Sequence, residues 1–211
     1  MDLPRKDKYG VNILSYSQIN TFKKDKFEYY ETYILNKPFV SNPYVEFGNK
    51  VGEALEKNDF TNFTLEEIEV LKKVTRLDVF ERFVKLEYND FYLVGYVDTN
   101  DNELTTIIDY KTGGLKKEKE YQLKDYNQLH IYALSLMQET KIQPKKAFVE
   151  FIRRKGNLYK GESLKIANEQ PIKIEIDINY NELKKVYWNI LETAKEISEF
   201  YSKIKNNELA Y

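Results

Sequence analysis

Asp109 and Lys111, in IIDYKTG (107–113), are an acid and a lysine at a spacing that suits chemistry. On a strand, residues two apart share a face. In a chain this rich in charge, the triplet alone reads equally well as a solvated salt bridge. Glu139-Thr140-Lys141 and Glu182-Leu183-Lys184 repeat it. A second acid changes the weight. Asp98 closes GYVD (95–98), and the two stretches read as adjacent strands of a hairpin. An even-numbered loop sets both carboxylates on one sheet face. A tight two-residue turn would put Asp98 opposite Thr105, so their meeting requires a wider loop or a splayed strand end. Two carboxylates side by side repel, and a pKa rises unless a cation neutralises them. A divalent ion would take an oxygen from each Asp, the backbone carbonyl of Tyr110, and water. Lys111 would then orient or deprotonate that water, or stabilise a phosphoryl transition state. This is the chemistry of metal-assisted phosphodiester hydrolysis.

Composition removes the main competitors. The 211 residues contain no cysteine, which excludes disulfides, thiolate zinc sites, iron–sulfur clusters and a cysteine nucleophile. His130 is the one histidine, so a multi-histidine metal site is impossible. Oxygen donors remain, and they suit Mg²⁺ or Mn²⁺. A formal net charge of −1 neither announces nor excludes a nucleic-acid partner, because a local patch decides. MDLPRKDKYG has no apolar leader and no run is long enough to span a bilayer, so a cytoplasmic protein with no membrane partner is expected.

The elements that must position these residues follow from period and caps. Residues 1–12 read as a loose polar N-terminus. Ser15 with Gln18 has capping-box spacing, so a helix starts there and continues, with a break near Asp25, through FEYYETYIL. NKPFVSNP (36–43) reads as a connector. Residues 46–58 form a second helix with Phe47, Val51, Ala54 and Leu55 inward, and Thr64 with Glu67 caps a third. Three strands follow in VFERFVKLEY, FYLVGYVD and ELTTIIDYK, with turns at 88–90 and 99–102. Residues 120–139 return to helical spacing along Leu123, Tyr126, Leu129, Ala133 and Leu136. KKAFVEFIRR and PIKIEIDI read as strands, and 181–205 as a long amphipathic helix. Without a repeat or linker, the whole chain, 1–211, is expected to form one α/β (α+β) domain on a central mixed β-sheet.

GYVD, then IIDYKTG, resembles the second and third motifs of the PD-(D/E)XK nucleases, and specifically their RecB-like branch. LSYSQINTF (14–22) resembles that branch's N-terminal helix signature. FGNKVGEAL (47–55) is similar to its Gly-x-x-Val-His-x-x-Leu helix, and Gln128-Leu-His-Ile-Tyr132 to its Gln-x-x-x-Tyr helix. The resemblance spans about 14–132 in the family's order and implies a restriction-endonuclease-like core. It also implies that Asp98 and Asp109 are metal ligands, that Tyr110 lends its carbonyl, and that Lys111 is catalytic. Gln128 and Tyr132 would line the site or contact DNA. The family's helix histidine, itself a ligand, falls at Gly52. Glu53 follows directly, either as a substitute carboxylate or as a surface charge. The cysteines that hold an iron–sulfur cluster in some relatives are absent, so the resemblance is to cluster-free, stand-alone exonucleases. These act on single- or double-stranded DNA ends in replication, recombination or repair, and a phage origin suits the composition. No G-x-x-x-x-G-K-[ST] motif is present, so unwinding would need a helicase or recombination partner. The Gly52 departure keeps open a weak or inactive nuclease-fold module that binds DNA or a recombination protein.

The remaining signals have bland readings. His130 lies off the Gln128–Tyr132 face and reads as a packing or surface residue rather than a ligand. Glu81 reads as facing solvent. The basic runs at 115–124 and 152–156 are either solvated faces or phosphate contacts.

Overall fold

The computed structural model describes residues 1–38, 41–123 and 127–208. In chain order the elements are β1 (Asn12–Ser15), α1 (Tyr16–Lys24), α2 (Lys26–Tyr29) running into a π-helical turn at Tyr30–Ile34, α3 (Pro43–Lys57), α4 (Leu65–Leu71), β2 (Val79–Glu87), β3 (Phe91–Asn100), β4 (Thr106–Gly113), α5 (Leu115–Leu123), α6 (Asn127–Thr140), β5 (Lys146–Lys155), β6 (Lys165–Ile166), β7 (Ile172–Glu175) and α7 (Tyr180–Lys205). β2, β3 and β4 pair antiparallel in succession, whereas β5 lies parallel to β4. A parallel neighbour requires a crossover, and α5 and α6 supply it. β6 and β7 pair antiparallel with β5.

Helices cover both faces. One buried cluster joins the sheet to α1, α6 and α7 through Leu14, Phe22, Val97, Leu129, Val149 and Ile197. A smaller one lies under α3 and α4 around Phe47, Val51, Leu55, Leu71 and Ile152. All four expected inward residues of α3 are buried, as are Leu129, Ala133 and Leu136 of α6. Tyr126 and the side chain of Leu123 lie outside the described residues, as do residues 39 and 40 of the connector.

Caps place the helix starts. Ser15 accepts the Gln18 N–H, and Asp25 ends α1 while its carboxylate caps α2. Thr64 and Glu67 close a reciprocal capping box. Asn42 with Pro43 starts α3 three residues before the expected position, because an Asn cap and Pro in the first turn are both favourable. The N-terminus is not loose. Leu3 is fully buried, Asn12–Ser15 forms a strand parallel to β3, and the Asp2 N–H donates to Ser198. The basic run at 115–123 is helical as α5, and α6 is described from Asn127.

The topology leaves one opening. β2 occupies one whole edge of β3. On the other edge, β1 pairs with Phe91–Val94 and β4 only with Thr99 and Asn100. Among the described residues, Gly95–Asp98 have no strand neighbour on that side, and the sheet opens there.

Gly95 also seats an expected site residue. A Cβ at Gly95 would stand 2.7 Å from Cε1 of Tyr132, so the strand accepts that ring only by lacking a side chain. Gly95→Ala should lower stability by about 1–3 kcal/mol through overpacking. Gly114→Ala, where a Cβ meets nothing within 4 Å, should leave it within about 0.5 kcal/mol. Urea denaturation of the two variants checks this, and equal losses would contradict the packing argument.

Candidate active site

The site grows from the point where β3 and β4 part. Their last ladder pair is Thr99 with Ile108. One further step of the register sets Asp98 opposite Asp109, but the strands have separated there. Asp98 Oδ2 instead accepts the Tyr110 N–H at 2.6 Å. The connection at 101–106 holds this register. Asp101 accepts the Thr105 N–H at 2.6 Å and the Thr106 N–H at 3.1 Å, while Leu104 adopts a positive φ of 58°. The wide loop and splayed strand end required by the sequence are both present.

Asp109 is fully buried, and Lys111 Nζ lies 2.6 Å from its Oδ2. Burial alone would pull the lysine's pKa down. The Asp109 and Asp98 carboxylates outweigh it and hold the ammonium charged, above the ordinary lysine value. Asp98, half-buried in the cleft wall, is pushed up to about 7 by burial and by the Asp109 charge, with Lys111 and the Tyr110 N–H opposing. The two Asp residues and Lys111 thus form one coupled group.

α6 and α1 close this group from the sheet's other side. Gln128 donates to the Tyr132 hydroxyl, and buried Tyr132 lies near enough to feel both carboxylates. Burial raises its pKa first, and the Asp109 charge adds to this. Tyr16 at the start of α1, pushed up to about 12 chiefly by burial, and Tyr121 on α5 sense the charges of Lys111 and Asp109 in the same way. Tyr110 sends its own ring to the opposite face, where its hydroxyl donates to the Thr75 carbonyl. His130 is buried, with its ring Nε2 hydrogen-bonded to the Asp177 carbonyl at 2.8 Å, away from the acids.

In front of the group lies a cleft of about 1130 Å³, walled by α3, the β2–β3–β4 opening and the ends of β4 and β5. Its floor carries Asp98, Tyr110 and Lys111, and its rim Lys24, Lys117 and Arg154. The Arg154 guanidinium stacks 4.3 Å from the Tyr44 ring centroid. Glu53 also lines the cleft, but its carboxylate pairs with Lys57 and is 62% exposed. Glu56 lies one turn beyond Gly52 on the cleft side of α3. Glu81 is exposed, as expected, although its carboxylate borders the cleft and is partly desolvated there. Its pKa is raised by this desolvation, then by the charges of Glu56 and Asp109. It adopts φ 49° and stands opposite Asp98, between the ladder pairs Phe80–Thr99 and Arg82–Val97. The tight turn at Asn89-Asp90 carried this signal, since counting back along the hairpin sets Glu81 against Asp98. Tyr16 and Tyr121 carried no comparable signal.

The donor set is all oxygen, and the like charges of Asp98 and Asp109 are of the kind a divalent cation relieves. In these side-chain positions, among the described residues, no three Asp, Glu or His groups converge tightly enough to cage an ion by themselves. An ion here would therefore draw on backbone oxygen and water as well, as Mg²⁺ commonly does.

Comparison with known proteins bears on the family and the fold. The family model for the PD-(D/E)XK nuclease superfamily matches residues 52–206. No curated protein sequence matches the chain. Among solved structures, a candidate exonuclease from Eubacterium rectale superposes with a TM-score of 0.59 at 12% identity, covering 94% of this chain and 83% of that one. LHK-Exo in complex with dAMP superposes with a TM-score of 0.41 at 16% identity, covering 93% and 94%.

The Asp98 shift gives a stability prediction for metal-free protein. Its folded pKa, about 7, lies above the ordinary 3.8, so the folded state holds the proton more tightly. The associated stability is complete below about pH 4 and is lost as pH rises through about 7. Asp98→Asn should therefore exceed wild type in stability at pH 8 by on the order of 2 kcal/mol, and the two should converge toward pH 4. Thermal melts in EDTA across this range check it, and a pH-independent difference would contradict it.

Proposed function

The chain belongs to the PD-(D/E)XK nuclease superfamily, and from that premise we propose that it is a metal-dependent deoxyribonuclease, an exonuclease acting on DNA ends. The observation that carries the reading is the convergence of Asp98, Asp109 and Lys111 at the parted strands, with Asp98 and Lys111 on the floor of an open cleft rimmed by cations and Asp109 buried directly behind Lys111. Asp98 and Asp109 would hold Mg²⁺ or Mn²⁺ with the Tyr110 carbonyl. Glu53 would join them only by giving up Lys57. When bound, such an ion supplies Lewis acidity and a lowered water pKa.

The chain's own residues supply the rest. The Tyr110 N–H fixes the Asp98 carboxylate. Lys111 is held charged by its acidic neighbours, which favours charge stabilisation at the phosphoryl oxygens over proton abstraction. Gln128 steadies the Tyr132 hydroxyl beside the acids. Lys24, Lys117 and Arg154 offer phosphate contacts along the rim, so binding should weaken as salt rises. A role in replication, recombination or repair, in a phage or otherwise, follows from the substrate class. Among the described residues no helix is long and apolar enough to cross a membrane.

A second reading, a DNA-binding module without catalysis, is favoured by Gly52 at the family's histidine position and by the absence of a three-ligand cage among the described residues. One assay separates the two. End-labelled linear DNA, single- and double-stranded, and a closed circle are incubated with Mg²⁺ or Mn²⁺, or with EDTA. The nuclease reading expects metal-dependent loss of linear DNA, survival of the circle, and a rate lower by ~10²–10³-fold in Lys111→Ala. Linear DNA left intact at the mutant's background in both metals would favour the binding module, and discrete fragments from the circle would indicate an endonuclease.

A further inference from the structure

The β2–β3 hairpin carries two large aromatics that packing does not require. Val84, Leu86, Leu93 and Val97 are buried in the main core. The alternate residues lie on the opposite face, where Phe83 and Tyr96 form a ladder pair. Their rings meet edge to face at 5.5 Å, and they are 51% and 53% exposed. A cross-strand aromatic pair contributes modestly to a hairpin without such exposure. This one sits one strand repeat, ~7 Å, from Glu81 and Asp98, which line the cleft. Further along the same face, Lys85 lies 4.4 Å over the ring of Tyr92. From the acids outward, the hairpin thus presents aromatic surface and then a cation next to a ring.

We propose that the Phe83–Tyr96 pair is a stacking platform for an unpaired base flanking the phosphate in the cleft, so that the preferred substrate is single-stranded DNA or a frayed end. This rests on the nuclease reading of the cleft and adds a strand preference to it. Two exposed aromatic rings two residues along the hairpin from the acids that line the cleft fit a nucleobase, because every base has a π-face. They fit an unpaired one, because bases within a duplex are already stacked. The rim cations beside the acids complement the backbone of the same strand.

The test is fluorescence anisotropy in EDTA at fixed salt, with a labelled oligothymidylate and a blunt hairpin duplex. Wild type is compared with Phe83→Thr/Tyr96→Thr, whose β-branched residues keep strand propensity, and with the aromatic exchange Phe83→Tyr/Tyr96→Phe. The expected result is oligothymidylate affinity reduced roughly 10- to 100-fold in the threonine variant and retained in the exchange variant, with duplex affinity unchanged in both. Unchanged oligothymidylate affinity in the threonine variant overturns the platform. So does equal loss for both ligands. If sedimentation shows a wild-type dimer that the threonine variant splits without change in oligothymidylate affinity, the pair is a self-association face and the platform is likewise overturned. Because binding is read without metal or turnover, failure of the platform and failure of hydrolysis appear as separate results.

Discussion

A single backbone donor organises this molecule. Where β4 leaves β3, the Tyr110 N–H loses the strand neighbour that would normally accept it, and a buried donor left unpaired is costly. The Asp98 carboxylate takes the bond at 2.6 Å. This permits the sheet to part without an orphaned amide. It also fixes the direction of Asp98, brings its charge toward Asp109, and exposes the end of β4 to the cleft. Without that substitution the strands would have to stay zipped, and the two acids would face each other across a closed ladder.

The arrangement is electrostatically expensive, and the expense is concentrated in one place. Asp109 is fully buried, and Asp98 and Glu81 are held above their ordinary pKa values by desolvation first and then by the charge of neighbouring acids. Lys111 is the internal counterweight, drawn to Asp109 and kept protonated by its charge. Such a group is stable because the surrounding elements over-determine it. β5 pairs along the whole of β4, and α6 lays Tyr132 against Gly95. Strain kept at a site and paid for by the scaffold is a recurrent functional arrangement.

Much of this was legible in the sequence where one local rule sufficed. Period-two stretches gave β2, β3 and β4, and Ser15, Asp25 and Thr64 marked helix boundaries, because strand alternation and capping are short-range physics. Features set by distant partners were not legible. Asn12–Ser15 is too short and polar to declare itself a strand, and becomes one only because the upper edge of β3 is available. α5 reads as a run of charge because its stability comes from contacts such as Arg153 with buried Glu118. Glu81 reads correctly as an exposed acid, and the turn at Asn89-Asp90 adds what alternation alone does not, its position opposite Asp98 at the edge of the cleft.

The α3 departure gains a physical meaning from the same geometry. Gly48 faces β4, where a Cβ would lie 3.4 Å from the Thr112 hydroxyl, an ordinary contact distance. Gly52, one turn on, has more room still, because a Cβ there would meet nothing within 4 Å. Crowding therefore does not explain the missing side chain at the position that falls on the histidine of the helix motif this stretch resembles. Its absence widens the cleft in front of Asp98, and Glu56 and Glu81 border the same space from a helix and from the neighbouring strand. The two carboxylates thus stand on separate elements, on either side of the space that Gly52 leaves open.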